Sequence, residues 1–320
     1  MCVHRTQQMS SYHWLPTIFE FEGIYTRLSV LRTVCKDFKR SITHRCVTAL
    51  VLSDTTTLVL EKCALTLQVL HCNQRGLKEL PDLPNMVELN CWMNELWTLP
   101  EMPKIKRLDC SHNHITHLFN ISNIESLDCS HNQLVSLPDM PHVSNLKCSN
   151  NPLTALPSFL PNVRDLSCGQ AQLTILPALP NANTVYVAYN QIREICSLPN
   201  VVILQCWSNN LVALPDLPKI ENLHCWRNAL MTLPSDLSNC RILDCSYNRL
   251  TTLPALPVAS IVDCSHNFLV ELPDLPKIEI LDCTTNELTY LPRMPHTPSR
   301  LMRNVNAPLR GASTATHHHL

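Results

Sequence analysis

The residues with the richest potential chemistry are cysteines, seventeen in a chain of 320 residues. Eleven form a ladder nineteen or twenty residues apart, with one repeat skipped: Cys72, Cys91, Cys110, Cys129, Cys148, Cys168, Cys206, Cys225, Cys245, Cys264 and Cys283. Thiols could form disulfides, ligate zinc or act as nucleophiles. Zinc needs four converging ligands, commonly supplied as closely spaced Cys or His pairs, whereas these cysteines come singly. His112, His131 and His266 follow at the second position after their cysteines, a spacing that does not by itself make ligands converge. The sequence therefore predicts no metal and no cofactor. No nucleophile elbow, phosphate loop or zincin helix is present, and four glycines leave little material for a phosphate cradle, so no catalytic residue is predicted. A metal- or thiol-dependent protein built on the ladder is the alternative of another class.

Each cysteine sits in the phrase L-x-C-x-x-N-x-L followed by Leu-Pro, as in Leu108-Asp-Cys-Ser-His-Asn113. A self-similar period of about twenty residues specifies a solenoid. Leucine and cysteine two apart match the strand period, so both face one side and form the core. Free cysteine packs as a small hydrophobe; Val187 does the same job in the repeat that lacks it. Three residues after the cysteine comes an asparagine, from Asn94 to Asn286, whose amide can bond to backbone where the strand turns. Arg75 and Ala171 interrupt this second ladder, and looser turns are expected there. The Leu-Pro-x-Leu/Met-Pro phrase that follows fixes φ and disfavours helix, predicting a thin, extended convex side.

These residues resemble leucine-rich repeats, in a short two-proline form similar to bacterial type III effectors and to proteins of amoeba-infecting giant viruses. The resemblance covers residues 70 to 295 and implies a horseshoe solenoid with a parallel β-sheet on its concave face. Residues 70–310 are expected to form about twelve repeats and a C-terminal half-repeat, residues 49–69 irregular leading repeats, and residues 311–320 a disordered tail. Residues 1–48 depart from the period. Leu28, Leu31, Val34, Cys35 and Phe38 recur at helical spacing, predicting a helical N-terminal cap. With Leu15-Pro16 upstream, these residues also resemble an F-box, which implies a surface for a Skp1-type adaptor and a substrate receptor of a ubiquitin ligase.

Net charge is −1 and the pI near 6.9, which recommends neither nucleic acid nor a membrane surface as partner. The first fourteen residues lack an apolar secretory core, no run reaches membrane-spanning length, and an intracellular, cytoplasmic protein with reduced thiols is expected. The sequon at Asn120 is then incidental. Solvent-facing strand positions flank each L-x-C. Two groups stand out as a surface for a protein partner, which is expected inside a host cell. One is an acidic row of Asp109, Asp128, Asp244, Asp263 and Asp282. The other is aromatic and central, comprising Tyr186, Gln205, Trp207, His224 and Trp226, with Trp92 apart from it. Tyr186, His224 and Trp226 are expected to share one patch, because exposed Trp and Tyr on a rigid surface are favoured interface anchors.

Overall fold

Among the described residues there are sixteen short strands, fourteen of them three-residue strands centred on an apolar residue. A computed structural model describes residues 49–51, 65, 67–292, 294 and 299–302. The strands are β1 (Ala49–Val51), β2 (Val69–His71), β3 (Glu88–Asn90), β4 (Arg107–Asp109), β5 (Ser126–Asp128), β6 (Asn145–Lys147), β7 (Asp165–Ser167) and β8 (Ile175–Leu176). They continue as β9 (Thr184–Tyr186), β10 (Glu194–Ile195), β11 (Ile203–Gln205), β12 (Asn222–His224), β13 (Ile242–Asp244), β14 (Ile261–Asp263), β15 (Ile280–Asp282) and β16 (Arg300–Met302). All but β8 and β10 join one 14-stranded sheet in chain order. Every pairing in it is parallel and aligns equivalent residues, as Leu204 with Leu223 and Leu223 with Leu243. β1 pairs directly with β2, so the leading segment contributes a strand to the array. The N-terminal residues Leu15, Pro16, Leu28, Leu31, Val34, Cys35 and Phe38 lie outside the described residues.

Within the triplets from β2 to β15 the middle residue is buried and its neighbours are partly or fully open, as a period of two requires. Leu204, Cys206, Leu223 and Cys225 are fully buried, and Val187 fills the cysteine site equally well. The described cysteines are unbridged. Each ladder cysteine instead extends the sheet, its N–H donating to the next repeat, as from Cys91 to Asp109 O and from Cys225 to Asp244 O, both at 2.8 Å.

The asparagines stitch repeats together. Asn151 Oδ1 accepts from Leu134 N–H of the preceding repeat at 2.9 Å. Its Nδ2 donates to Cys129 O at 3.0 Å, Cys148 O at 3.1 Å and Ser149 O at 3.3 Å. One buried amide thus satisfies backbone groups that the turn would otherwise leave orphaned. Ala171 can do none of this, yet the turn keeps its shape, with Gln170 at φ 52° like its counterparts. Local substitutes are present, since Gly169 N–H donates to Ser149 Oγ at 3.0 Å and that hydroxyl bonds Ser167 Oγ at 3.0 Å. Ala171→Asn is expected to restore an acceptor for Leu153 N–H and to raise stability by about 1 kcal/mol in urea unfolding.

The return path is extended, and the described residues contain no helix. Leu-Pro-Asn-Met at 83–86 closes a tight turn, with Met86 N–H on Leu83 O at 3.1 Å; proline pre-sets the first turn position. A second asparagine set bridges these turns, as Asn181 Nδ2 to Pro161 O and Asn200 Nδ2 to Pro180 O, at 2.8 and 2.7 Å. β8 and β10 form a small parallel pair on this outer path. Cys196 stands where most repeats have proline, and its N–H donates to Leu176 O at 3.2 Å, a bond that proline could not make.

Candidate functional site

The position between Leu and Cys points out of the concave sheet, and strand register makes it one continuous row. Tyr186 aligns with Gln205, Gln205 with His224, His224 with Asp244, Asp244 with Asp263, and Asp263 with Asp282. The aromatic and acidic groups therefore meet at His224 and Asp244. Toward the N-terminus the same row carries Asp109, Asp128 and Lys147.

Tyr186 and His224 are separated by the strand of Gln205, about 10 Å at ordinary strand spacing, so they do not touch across the row. The ring contacts lie two residues farther along. Trp207 and Trp226 stack with centroids 4.6 Å apart and planes 9° apart, and Tyr189 meets Trp207 edge-on at 4.4 Å. Both indoles are partly open and Tyr189 is 47% exposed. The indoles cover sheet and still present surface, the geometry favoured for offset aromatic anchors. Trp92 is remote from this cluster, with its N–H 3.5 Å from Asn90 Oδ1.

Tyr189 belongs to a row the sequence analysis missed. Twelve non-glycine residues, one per repeat, have φ between 51° and 57°, including Met93, His112, His131, Tyr189, Arg227, Tyr247 and His266. Left-handed backbone is unfavourable for most residues, and here the inter-repeat ladder holds it, as Met93 N–H on Ser111 O and Tyr247 N–H on Ser265 O. The side chains fan along the sheet edge and stack: His112 on His131 and Tyr247 on His266, each at 4.0 Å. Burial and the neighbouring His112 hold His131 below the ordinary histidine value. The available signal was positional, a recurring aromatic or polar residue immediately before each asparagine.

The aspartates are structural as well as solvent-facing. Asp244 Oδ1 accepts Ser246 N–H at 3.2 Å and Ser246 Oγ–H at 2.8 Å; Asp263 with Ser265 and Asp282 with Thr284 repeat the arrangement. Two bonds thus rigidify each strand end. Burial raises the Asp244 carboxyl above its ordinary value, with the Ser246 bonds opposing and Asp263 adding to the rise; burial acts likewise on Asp109. A native acid with a raised value holds its proton more firmly than the unfolded chain does. Stability at this site is therefore greatest at low pH and falls as pH rises through the native value. Asp244→Asn keeps the acceptor and removes the charge. It should raise the melting temperature at about pH 7, with the gain shrinking toward about pH 3.5, below the ordinary Asp value.

The two halves differ in charge compensation. Near the N-terminus Glu88 pairs with Arg107 at 2.7 Å, and Asp128 lies 3.7 Å from Lys147. Asp244, Asp263 and Asp282 make no ion pair with Lys or Arg among the described residues. The cysteines are remote from such chemistry. Burial pushes the thiols of Cys72, Cys206 and Cys240 up to about 12, so at neutral pH they are protonated and poor nucleophiles. Among the described residues no group of His, Cys, Asp and Glu could hold a metal ion, and no helix is long and apolar enough to cross a membrane.

No protein-family model matches the sequence, and no curated protein matches it. Solved structures do. YopM from Yersinia enterocolitica WA-314 is 33% identical with a TM-score of 0.71 over 82% of this chain and 59% of its own. The chain thus spans less than two thirds of that relative's length. YopM from Yersinia pestis, described as a leucine-rich effector protein, is 28% identical with a TM-score of 0.55 over 78% of this chain and 85% of its own. The functional domain of InlJ from Listeria monocytogenes, which includes a cysteine ladder, is 20% identical with a TM-score of 0.51 over 77% of this chain and 68% of its own. The fold is the leucine-rich repeat solenoid.

Proposed function

We propose that this leucine-rich repeat solenoid is a protein-binding scaffold, engaging its partner through the concave face from β9 to β15 inside a host cell. The observation that carries the proposal is the Trp207–Trp226 stack flanked by Tyr189. Large aromatic side chains held on a rigid sheet lose little entropy on contact, and such residues dominate interface energetics. Gln205 and His224 supply polar groups beside the stack, and the acidic row continues from it. Similarity to a protein described as an effector favours the intracellular setting.

The experiment is affinity capture with the full chain and its Trp207→Ala/Trp226→Ala variant. Loss of the stack should lower the melting temperature by only about 2–4 °C while removing the proteins that the parent chain captures. Capture that survives the double change would contradict the assignment. The F-box resemblance of Leu15 to Phe38 favours a second reading, a substrate receptor of a ubiquitin ligase. A Skp1-type adaptor recovered with the parent chain, and retained by the double variant, is the result that reading requires.

A further inference from the structure

One feature of the concave face lies outside the acidic and aromatic rows. The residue before each strand leucine is Ile203 in β11, Ile242 in β13, Ile261 in β14 and Ile280 in β15, and the last three align in direct register. All four are partly exposed. β-Branched aliphatic side chains are usual in strands but ordinarily face a core; here the leucines fill the core, and the isoleucines form an apolar stripe on the open side. Two residues farther on stand Asp244, Asp263 and Asp282 in β13 to β15, and Gln205 in β11. From β13 to β15 the apolar stripe and acidic row are therefore parallel, about 7 Å apart, with neighbouring members of each about 4.8 Å apart, and Asn222 of β12 separates Ile203 from Ile242.

Two cations that flank this face are engaged at its margins. Arg241 turns to Glu221, with Nε 3.9 Å from Oε2, and Arg300 on β16 lies beyond Ile280, its Nη2 3.8 Å from Met302 Sδ. The face has an aliphatic wall, an anionic wall that pairs with no Lys or Arg among the described residues, and the Trp207–Trp226 stack at its β11–β12 end.

We propose that this face takes an extended polypeptide segment in which apolar residues alternate with arginine or lysine. An extended chain laid across the strands between the two rows sends successive side chains to opposite sides. Apolar residues then lie on the isoleucines and basic residues reach the aspartates, with the indole faces available to a guanidinium. From β11 to β15 the face measures about 19 Å, which about six extended residues span. Charge complementarity selects the basic segment: an acidic segment would add repulsion, and nucleic acid would place phosphates against three carboxylates. Because each Asp Oδ1 is held by its Ser or Thr neighbour, the carboxylates are oriented before the partner arrives, which lowers the entropic cost of binding. The inference rests on the concave-face reading and adds the chemistry of the partner.

The test uses fluorescently labelled peptides and anisotropy with the full chain. The probes are an alternating Leu-Arg peptide, its Leu-Glu counterpart and a Ser-Arg peptide of equal length. Asp244→Asn/Asp263→Asn/Asp282→Asn keeps the turn acceptors, and circular dichroism verifies its fold. Saturable binding of the Leu-Arg peptide is expected, with the triple variant about tenfold weaker and both control peptides weaker than Leu-Arg. Absent binding, equal binding of the Leu-Glu or Ser-Arg peptide, or unchanged affinity in the triple variant overturns the inference. If the Leu-Arg peptide fails while capture still depends on Trp207 and Trp226, the scaffold assignment stands and the basic-partner inference alone falls.

Discussion

Raising the pH from about 9 to about 11 is expected to unfold the repeat array cooperatively, well before an ordinary domain would respond. Ten buried cysteines have thiols raised above their usual value of 9.0, nine of them chiefly by burial, among them Cys91, Cys129, Cys225, Cys245 and Cys264, and Cys148 chiefly by its hydrogen bond with Cys168. Above pH 9 the unfolded chain releases these protons and the native chain keeps them. Native stability is therefore intact below the unfolded value and falls until the native value, about 12 for Cys72, Cys206 and Cys240, is passed. Each thiol contributes about 1.4 kcal/mol per pH unit inside that window. Ten acting together change stability by on the order of 10 kcal/mol per unit, comparable with the whole stability of a typical domain. Circular dichroism against pH measures the midpoint. Valine at Cys206, Cys225, Cys245 and Cys264 should move it upward without loss of fold, since Val187 already fills an equivalent site completely buried. An identical midpoint in the valine variant would mean that the thiols are not protonated core residues.

The second large effect belongs to the asparagine ladder. Asn151→Ala is expected to lower stability by about 3 kcal/mol, although its side chain belongs neither to the apolar core row nor to the concave anchors. The loss strands Leu134 N–H and deprives the carbonyls of Cys129 and Cys148 of their amide donor. These are buried groups that water cannot reach without opening the stack. Asn151→Asp retains the oxygen but removes the donors and sets a carboxylate beside the same carbonyls, so it should be at least as harmful. Urea unfolding compares the variants. A change within a few tenths of a kcal/mol for Asn151→Ala would show that the amide is dispensable, as Ala171 is tolerated in its own repeat.

The scaffold was legible because the feature that builds it is periodic. Leucine and cysteine two apart can only form a one-sided strand, and Asn94 through Asn286 recur where the strand must end. The geometry of the face was less legible. Ile242, Ile261 and Ile280 occupy a position held elsewhere by Glu88, Arg107 and Asn145, and that mixture hides the stripe until the strands are stacked. Tyr189 and Tyr247 required knowledge of a left-handed backbone, which glycine would have announced and tyrosine does not. The aromatic and acidic groups appear separate in sequence, whereas register joins them at His224 and Asp244. Trp226 was grouped by sequence with Tyr186 and His224, but its ring packs on Trp207 because both stand one residue after their cysteines and on adjacent strands. The outer pair of β8 and β10 is extended by the N–H of Cys196, where most repeats carry proline, a local exception inside a repeating phrase.

Placing a photo-crosslinking residue at Gln205, in the concave row, and separately at Phe159, 66% exposed on the return path, tests where the partner sits. Crosslinks from position 205 to a captured protein, with none from position 159, are predicted. Crosslinks from position 159 alone would put the binding surface on the convex side and contradict the concave-face account.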